Sequence, residues 1–300
     1  MKQAALILAL AIQAANEAGP WRLVYYTASK DRKSVQPKSV LSDGTDPRPA
    51  ELVPSKGGLS PDGKRKLDVR MWEGKCRIWL TDVDGSNEKP LTDDQHWDNY
   101  PAWTPDGKRI VFASNRSGTS QIWVMESDGS NPVKLTQHPD GATEPQVSTM
   151  GRIAYVEKHA APREKLPPST LRAVDVDGAN SKVVVERTQM LEHAWSPKGD
   201  QLAVSLVNEL RILDPSSGKP VMSFKFAEIH KDLYAHAANA LTWRPDGKAI
   251  ACTIQFLGGR KEGTEIFGDK QVFILPFEGK SAVIEADGHS WPVRWNTDKK

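Results

Sequence analysis

The sequence predicts an all-β fold, a six-bladed β-propeller of four-stranded blades in which a C-terminal inner strand closes the first blade. Three observations lead there. A tetrapeptide turn recurs five times, as Ser60-Pro61-Asp62-Gly63, Thr104-Pro105-Asp106-Gly107, Ser148-Thr149-Met150-Gly151, Ser196-Pro197-Lys198-Gly199 and Arg244-Pro245-Asp246-Gly247, and its glycines are 44, 44, 48 and 48 residues apart. Four residues before each glycine stands a large apolar residue: Leu59, Trp103, Val147, Trp195 or Trp243. A second glycine turn keeps the same beat, at Gly85, Gly129, Gly178, Gly218 and Gly279. A period of this length with several short strands per repeat is the mark of a propeller.

The third repeat justifies the elements one by one. Residues 100–103 form an inner strand. Pro105 presets φ in the following turn and Gly107 takes the left-handed position. Residues 109–114 (RIVFAS) and 121–126 (QIWVME) read as the next two strands, separated by a loop over 115–120. Asp128-Gly129 turns the chain into an outer strand over 133–136.

The ends complete the count. Residues 21–30 look like a second strand with no inner strand before it. Residues 291–296 look like an inner strand with nothing after it, and Trp295 holds the register of Trp103, Trp195 and Trp243. Pairing the two gives six blades, over 21–55 with 290–296, 57–92, 99–136, 144–187, 192–227 and 239–286, and leaves no open sheet edge at the termini.

Residues 1–19 are of another kind. Lys2 precedes an apolar run over 4–12, and small residues follow at Ala14, Ala15 and Ala18. That order reads as a secretory signal peptide, too short to span a membrane. Residues 20–300 are then one propeller domain in the periplasm or outside the cell. The 40 basic and 38 acidic residues leave a net charge of +2, so no overall field draws the chain to nucleic acid or to a membrane surface. Cys76 and Cys252 fall in non-adjacent blades, which argues against a disulfide. Several of the ten tryptophans recur at fixed repeat positions, so most are expected to serve the core between blades.

Residues 101–145 (PAWTPDGKRIVFASNRSGTSQIWVMESDGSNPVKLTQHPDGATEP) resemble the TolB-type, WD40-like PD40 propeller repeat. The resemblance is to the propeller alone, since a signal and a short lead stand where TolB has an α/β domain. It implies six blades and a non-catalytic platform whose central mouth receives a protein or peptide.

In a propeller, the loops joining strands two and three and those joining successive blades share one face. The three insertions, over 157–170, 226–239 and 255–270, all fall there, and insertions on one face mark a binding face. So do all seven histidines. The residues expected to line the mouth are His96, Trp97, Asp98, Glu144, Glu192, His193, His236, His289 and Trp291, with Trp97 and Trp291 as aromatic anchors.

A second reading stays open. Neutral imidazoles with carboxylates can bind a divalent transition metal, and His193, His236, His289 and His96 are the candidate ligands. Oligogalacturonate lyases of TolB-like fold resemble this arrangement. They imply a metal-dependent polysaccharide lyase acting on an acidic oligosaccharide, with Arg163, Lys165 or Arg260 holding the sugar. Against it, a loop histidine is ordinarily polar surface, and no tight spacing such as HxxxH is present. No other cofactor is implied.

Other motifs carry less. Asp82-Val83-Asp84-Gly85-Ser86-Asn87 starts like a calcium loop, but glycine is fourth rather than sixth, so it reads as a hairpin turn. No GxSxG elbow exists for a serine hydrolase. Gly258-Gly259-Arg260-Lys261 follows no phosphate-loop pattern and reads as a flexible loop.

Overall fold

A computed structural model describes residues 21–28, 35–49, 58–72, 75–161, 167–229, 234–261, 264–278, 282–284 and 290–297. Residues 1–19, expected to be a signal, and Gly279, His230 and His289 lie outside them. The described chain is all-β apart from one helical turn, and it divides into two compact units, 56–224 and 1–55 with 225–300.

In the second unit, the N-terminal strands β1 (Trp21–Ala28), β2 (Val35–Leu41) and β3 (Arg48–Pro49) form consecutive antiparallel pairs. The unit from 56 to 224 carries four sheets. The first is β4 (Arg65–Trp72), β5 (Lys75–Asp82) and β6 (Lys89–Pro90). Then come β7 (Asp98–Trp103), β8 (Arg109–Ser114), β9 (Gln121–Glu126) and β10 (Val133–Lys134). The third holds β11 (Ala142–Val147), β12 (Arg152–Lys158), β13 (Ser169–Asp175) and β14 (Lys182–Thr188). The fourth holds β15 (Met190–Trp195), β16 (Leu202–Leu206), β17 (Glu209–Leu213) and β18 (Pro220–Lys225). Each is an antiparallel meander in chain order. The middle strands of the third repeat match their sequence expectation residue for residue.

The C-terminal part of the other unit opens with the helical turn α1 (Phe226–Ile229), whose Phe226 is fully buried. Strands β19 (Tyr234–Trp243), β20 (Ala249–Lys261), β21 (Thr264–Pro276) and β22 (Ala282–Ile284) form a four-stranded sheet. The last strand, β23 (Ser290–Thr297), pairs antiparallel with β1, so the first sheet runs β23-β1-β2-β3. The expected loop over 255–270 is instead the far end of a long hairpin. Its pairing continues through Gly258↔Ile266 to Lys261↔Thr264. Phe256, Leu257, Ile266 and Phe267 are strong strand formers on either side of the glycine pair, and they carry the ladder outward.

The core lies between successive sheets, face to face. Leu67, Ile78 and Leu80 pack against Trp103, Ile110 and Phe112. Val111, Ala113, Ile122 and Val124 pack against Ile153, Tyr155 and Val174. Val156, Leu171 and Val184 pack against Leu202, Val204 and Leu213. In the other unit Leu23, Tyr25 and Val40 meet Ala249, Ala251, Val272 and Ile274. Both faces of the β7–β10 sheet are thus covered, which explains the run of consecutive buried residues in β8.

The recurring turns are held by one device. Ser60 Oγ accepts from the amide of Arg65 at 2.9 Å and donates to Asp62 Oδ1 at 2.6 Å. Thr104 repeats this with Arg109 and Asp106 at 3.0 and 2.6 Å. Ser196 does so with Gln201 and Asp200, at 3.0 and 2.9 Å. The hydroxyl bond holds the Asp62 and Asp106 carboxyls below the usual range. The tryptophans then tie sheet to sheet. Trp103 Nε1 donates to the carbonyl of Gly58 at 2.9 Å, and Trp195 Nε1 to that of Gln146 at 3.1 Å. Gly58 and Gln146 each directly precede the apolar residue of the preceding repeat, so the two bonds are equivalent.

Cys76 and Cys252 are free and buried. Asp82-Val83-Asp84-Gly85 is a hairpin turn, with the Gly85 amide bonded to the Asp82 carbonyl at 2.9 Å.

Candidate functional site

The inner strands of the repeats share an irregularity that places the candidate site. Three residues before Trp103, Val147 and Trp243, the chain adopts a left-handed conformation at Tyr100 (φ 52°), Glu144 (φ 54°) and Ala240 (φ 54°). At each the pairing register shifts, between Asn99 and Ala102, between Thr143 and Gln146 and between Asn239 and Thr242. These are β-bulges, which re-aim side chains and concentrate near functional sites. Proline follows two of them, as Tyr100-Pro101 and Glu144-Pro145. Proline lacks the amide a ladder requires, so the strand gives up pairing there.

The bulges in β7 and β11 sit beside two clefts that share Thr143 and Lys158. One, of about 340 Å³, is lined by Trp97, Asn99, Tyr100, Asn115, Ser120 and Lys158. The other, of about 730 Å³, holds Asp140, Glu144, Lys158 and His159. Trp97 and Tyr100 are 44% and 45% exposed, unusual for large aromatics. The Trp97 amide donates to Asn115 Oδ1, and the Tyr100 amide to Asn99 Oδ1, both at 2.8 Å. Burial raises the Tyr100 hydroxyl above its ordinary pKa, and the nearby Glu144 charge adds to this. Burial likewise raises the Glu144 carboxyl, against the opposing charge of Lys158.

The residues expected at a mouth are distributed differently. His96 is half-buried next to the exposed Trp97. Asp98, the first residue of β7, does not line the cleft: it is fully buried and ion-paired with Arg116 at 3.1 Å. Glu192 occupies the register of Glu144 in β15, half-buried beside a register shift between Met190 and Glu192. His193 is 1% exposed. Its ring nitrogens make no bond of hydrogen-bonding geometry, and they lie near the backbone of Ala154 and Glu144. Burial pushes its pKa down to about 4. His236 and Trp291 lie in β19 and β23, and His289 lies outside the described residues.

Among the described residues no three His, Cys, Asp or Glu side chains come close enough to share a metal ion. An enclosed His193 ring beside peptide groups does not suit a metal ligand, which needs room for the ion and its other donors. Two further histidines are engaged in polar contacts. His138 Nδ1 lies 3.2 Å from Glu157 and its Nε2 3.1 Å from the Tyr155 hydroxyl, while Arg172 holds the other Glu157 oxygen. His159 Nε2 bonds to Thr170 Oγ1 at 2.8 Å.

Sequence reasoning passed over Tyr100, Asn99 and Asn115, and Lys158 lies at the start of the insertion over 157–170. The pattern that could have found Tyr100 is its alignment, with its proline, on Glu144-Pro145.

Comparison with known proteins agrees with this architecture. The family model of the TolB beta propeller domain, PD40, matches residues 54–153, a stretch that contains residues 101–145, whose sequence resembles that repeat. TolB from Acinetobacter baumannii superposes with a TM-score of 0.55 at 15% identity, covering 91% of this chain and 66% of that one. An oligogalacturonate lyase from Vibrio parahaemolyticus gives 0.56 at 12% identity, covering 88% and 74%. A TolB-related structure from Agrobacterium tumefaciens gives 0.40 at 27% identity, covering 54% and 60%. The chain thus spans less than two thirds of the length of the TolB structures it matches. No curated protein matches its sequence.

Proposed function

We propose that this protein is an exported, non-catalytic β-propeller that binds a protein or peptide segment in the cell envelope. The observation that carries the reading is the pair of exposed aromatics, Trp97 and Tyr100, set by a strained bulge into a cleft floored by asparagine amides. Aromatic anchors in a concave site, on a rigid sheet scaffold, are what an interface hot spot requires. Closure of the described sheets into a six-bladed ring belongs to the same reading, and the pairing of β23 with β1 supports it. Export rests on the basic and apolar pattern of residues 1–19. Among the described residues no helix is long and apolar enough to cross a membrane.

The lyase alternative draws on the structural likeness to the Vibrio enzyme. Its metal site would have to be built from His96, His236 and His289 without His193.

Peptides selected by display against the purified protein test the proposal. Trp97→Ala should weaken their binding about tenfold, the effect of losing one hot-spot aromatic, with an unchanged melting temperature. Undiminished affinity in Trp97→Ala and in Glu144→Ala would overturn it.

A further inference from the structure

The smaller cleft is lined by hydrogen-bond donors, and that narrows what it can hold. Asn115 Oδ1 and Asn99 Oδ1 already accept the amides of Trp97 and Tyr100. A backbone N–H needs an oxygen acceptor, so both side-chain amides have their orientation fixed, and each has its NH₂ group left to offer. Ser120 Oγ donates to the carbonyl of Ala142 at 2.9 Å. Lys158 supplies the remaining polar head. It is exposed and, among the described residues, no carboxylate comes within ion-pair distance of it. No acidic side chain lines this cleft, and Glu144, whose carboxyl burial pushes towards its neutral form, stands in the adjoining one. Arg116, the other cation nearby, is spent on buried Asp98.

A polyhydroxylated sugar asks its site for acceptors as well as donors, since every hydroxyl is both. The free groups of this cleft are mostly donors, the two NH₂ groups and the Lys158 head, with the Ser120 and Tyr100 hydroxyls left to accept. A carboxylate and a row of peptide carbonyls ask only for donors. The Trp97 and Tyr100 rings meanwhile ask for apolar side chains between those acceptors.

We propose that the cleft takes an acidic peptide segment, with a carboxylate on Lys158 and neighbouring apolar side chains seated on Trp97 and Tyr100. The Thr143–Lys158 boundary shared with the larger cleft lets an extended segment continue past Lys158. The left-handed bulge at Tyr100 is then the device that turns an aromatic outward from a strand whose other large side chain, Trp103, is buried. The inference rests on the peptide-platform reading.

The probes are an acetylated, amidated hexapeptide of alternating phenylalanine and glutamate and its glutamine counterpart, titrated calorimetrically into the full-length mature protein. The acidic peptide should bind about fivefold tighter at low salt, the scale of one exposed ion pair, and the preference should shrink as salt rises. Lys158→Gln should abolish the preference and Lys158→Glu invert it, with melting temperatures unchanged because Lys158 is exposed. Equal binding of both peptides by the wild type, or a preference that survives Lys158→Gln, overturns the acidic specificity and leaves the peptide platform standing. Failure of both hexapeptides to bind also overturns the inference. The platform reading then stands or falls on the display-selected peptides and Trp97→Ala.

Discussion

His193 shows how far one residue's setting can depart from its appearance in the sequence. In the chain it is one of several loop-flanking histidines, a plausible ligand. In the fold it is sealed beside the backbone of Glu144 and Ala154, and Gln146 Nε2 donates to its carbonyl at 2.6 Å. Burial holds the ring neutral, with its pKa near 4 against about 6.5 in an unfolded chain. Between those values the unfolded state takes up a proton that the folded state refuses. Stability is therefore full above the unfolded pKa and is lost as pH falls from about 6.5 towards 4, by up to about 3 kcal/mol. His138, also lowered by burial, acts in the same direction. Urea unfolding followed between about pH 7.5 and about pH 4.5 should show this loss, and His193→Gln should flatten it. An unchanged pH slope in the mutant would show that the ring is protonated, or accessible, in the folded protein.

At the scale of the element, the second glycine turn does more than reverse the chain. A β-carbon on Gly129 would stand 2.6 Å from the carbonyl oxygen of Leu91, and one on Gly218 2.8 Å from that of Val184. In each case the turn of one sheet packs onto the end of the sheet before it. Gly63 has a similar backbone, φ 69°, but nothing within 4 Å of such a carbon. Alanine at Gly63 should thus cost only the left-handed penalty of about 1–2 kcal/mol. At Gly129 or Gly218 a backbone clash is added, and the loss should be greater by at least about 1 kcal/mol. Equal urea midpoints for the three alanine variants would remove the close approach from the account. The contrast also marks what was legible in the sequence. The turns, the tryptophan register and the middle strands follow from local chemistry: proline, left-handed glycine and alternation. The bulges do not, because Tyr100 and Glu144 in a left-handed conformation contradict local preference. They are imposed by pairing on either side. For the same reason the cleft aromatics were half found. Trp97 stood out in a polar loop, whereas Tyr100 looked like an ordinary strand residue. The hairpin of β20 and β21 was misread as a loop because two glycines outweighed the flanking apolar residues.

For the molecule as a whole, the decisive pairing is between its two ends. Trp21 faces Thr297 and Thr27 faces Ser290, so β23 covers one edge of β1 along nearly its full length. Without β23 that edge would offer unpaired amides and carbonyls to solvent and to other chains, beside a strand whose Leu23, Val24 and Tyr25 are buried. Removing residues 290–300 should therefore yield aggregated or unfolded protein. That outcome alone would not separate loss of an edge from loss of a few buried side chains. A circular permutant does. Because Thr297 and Trp21 are register partners, a linker of about four residues can join them as a hairpin. New termini can open at the exposed Asp84-Gly85 turn, where nothing crowds Gly85. If β23 belongs to the first sheet, the permutant folds with a melting temperature at or above that of the parent, since the closing strand is now held by a short loop. If the permutant fails while the linear chain folds, the ends do not meet as a hairpin, and the six-bladed closure proposed for this chain fails with them.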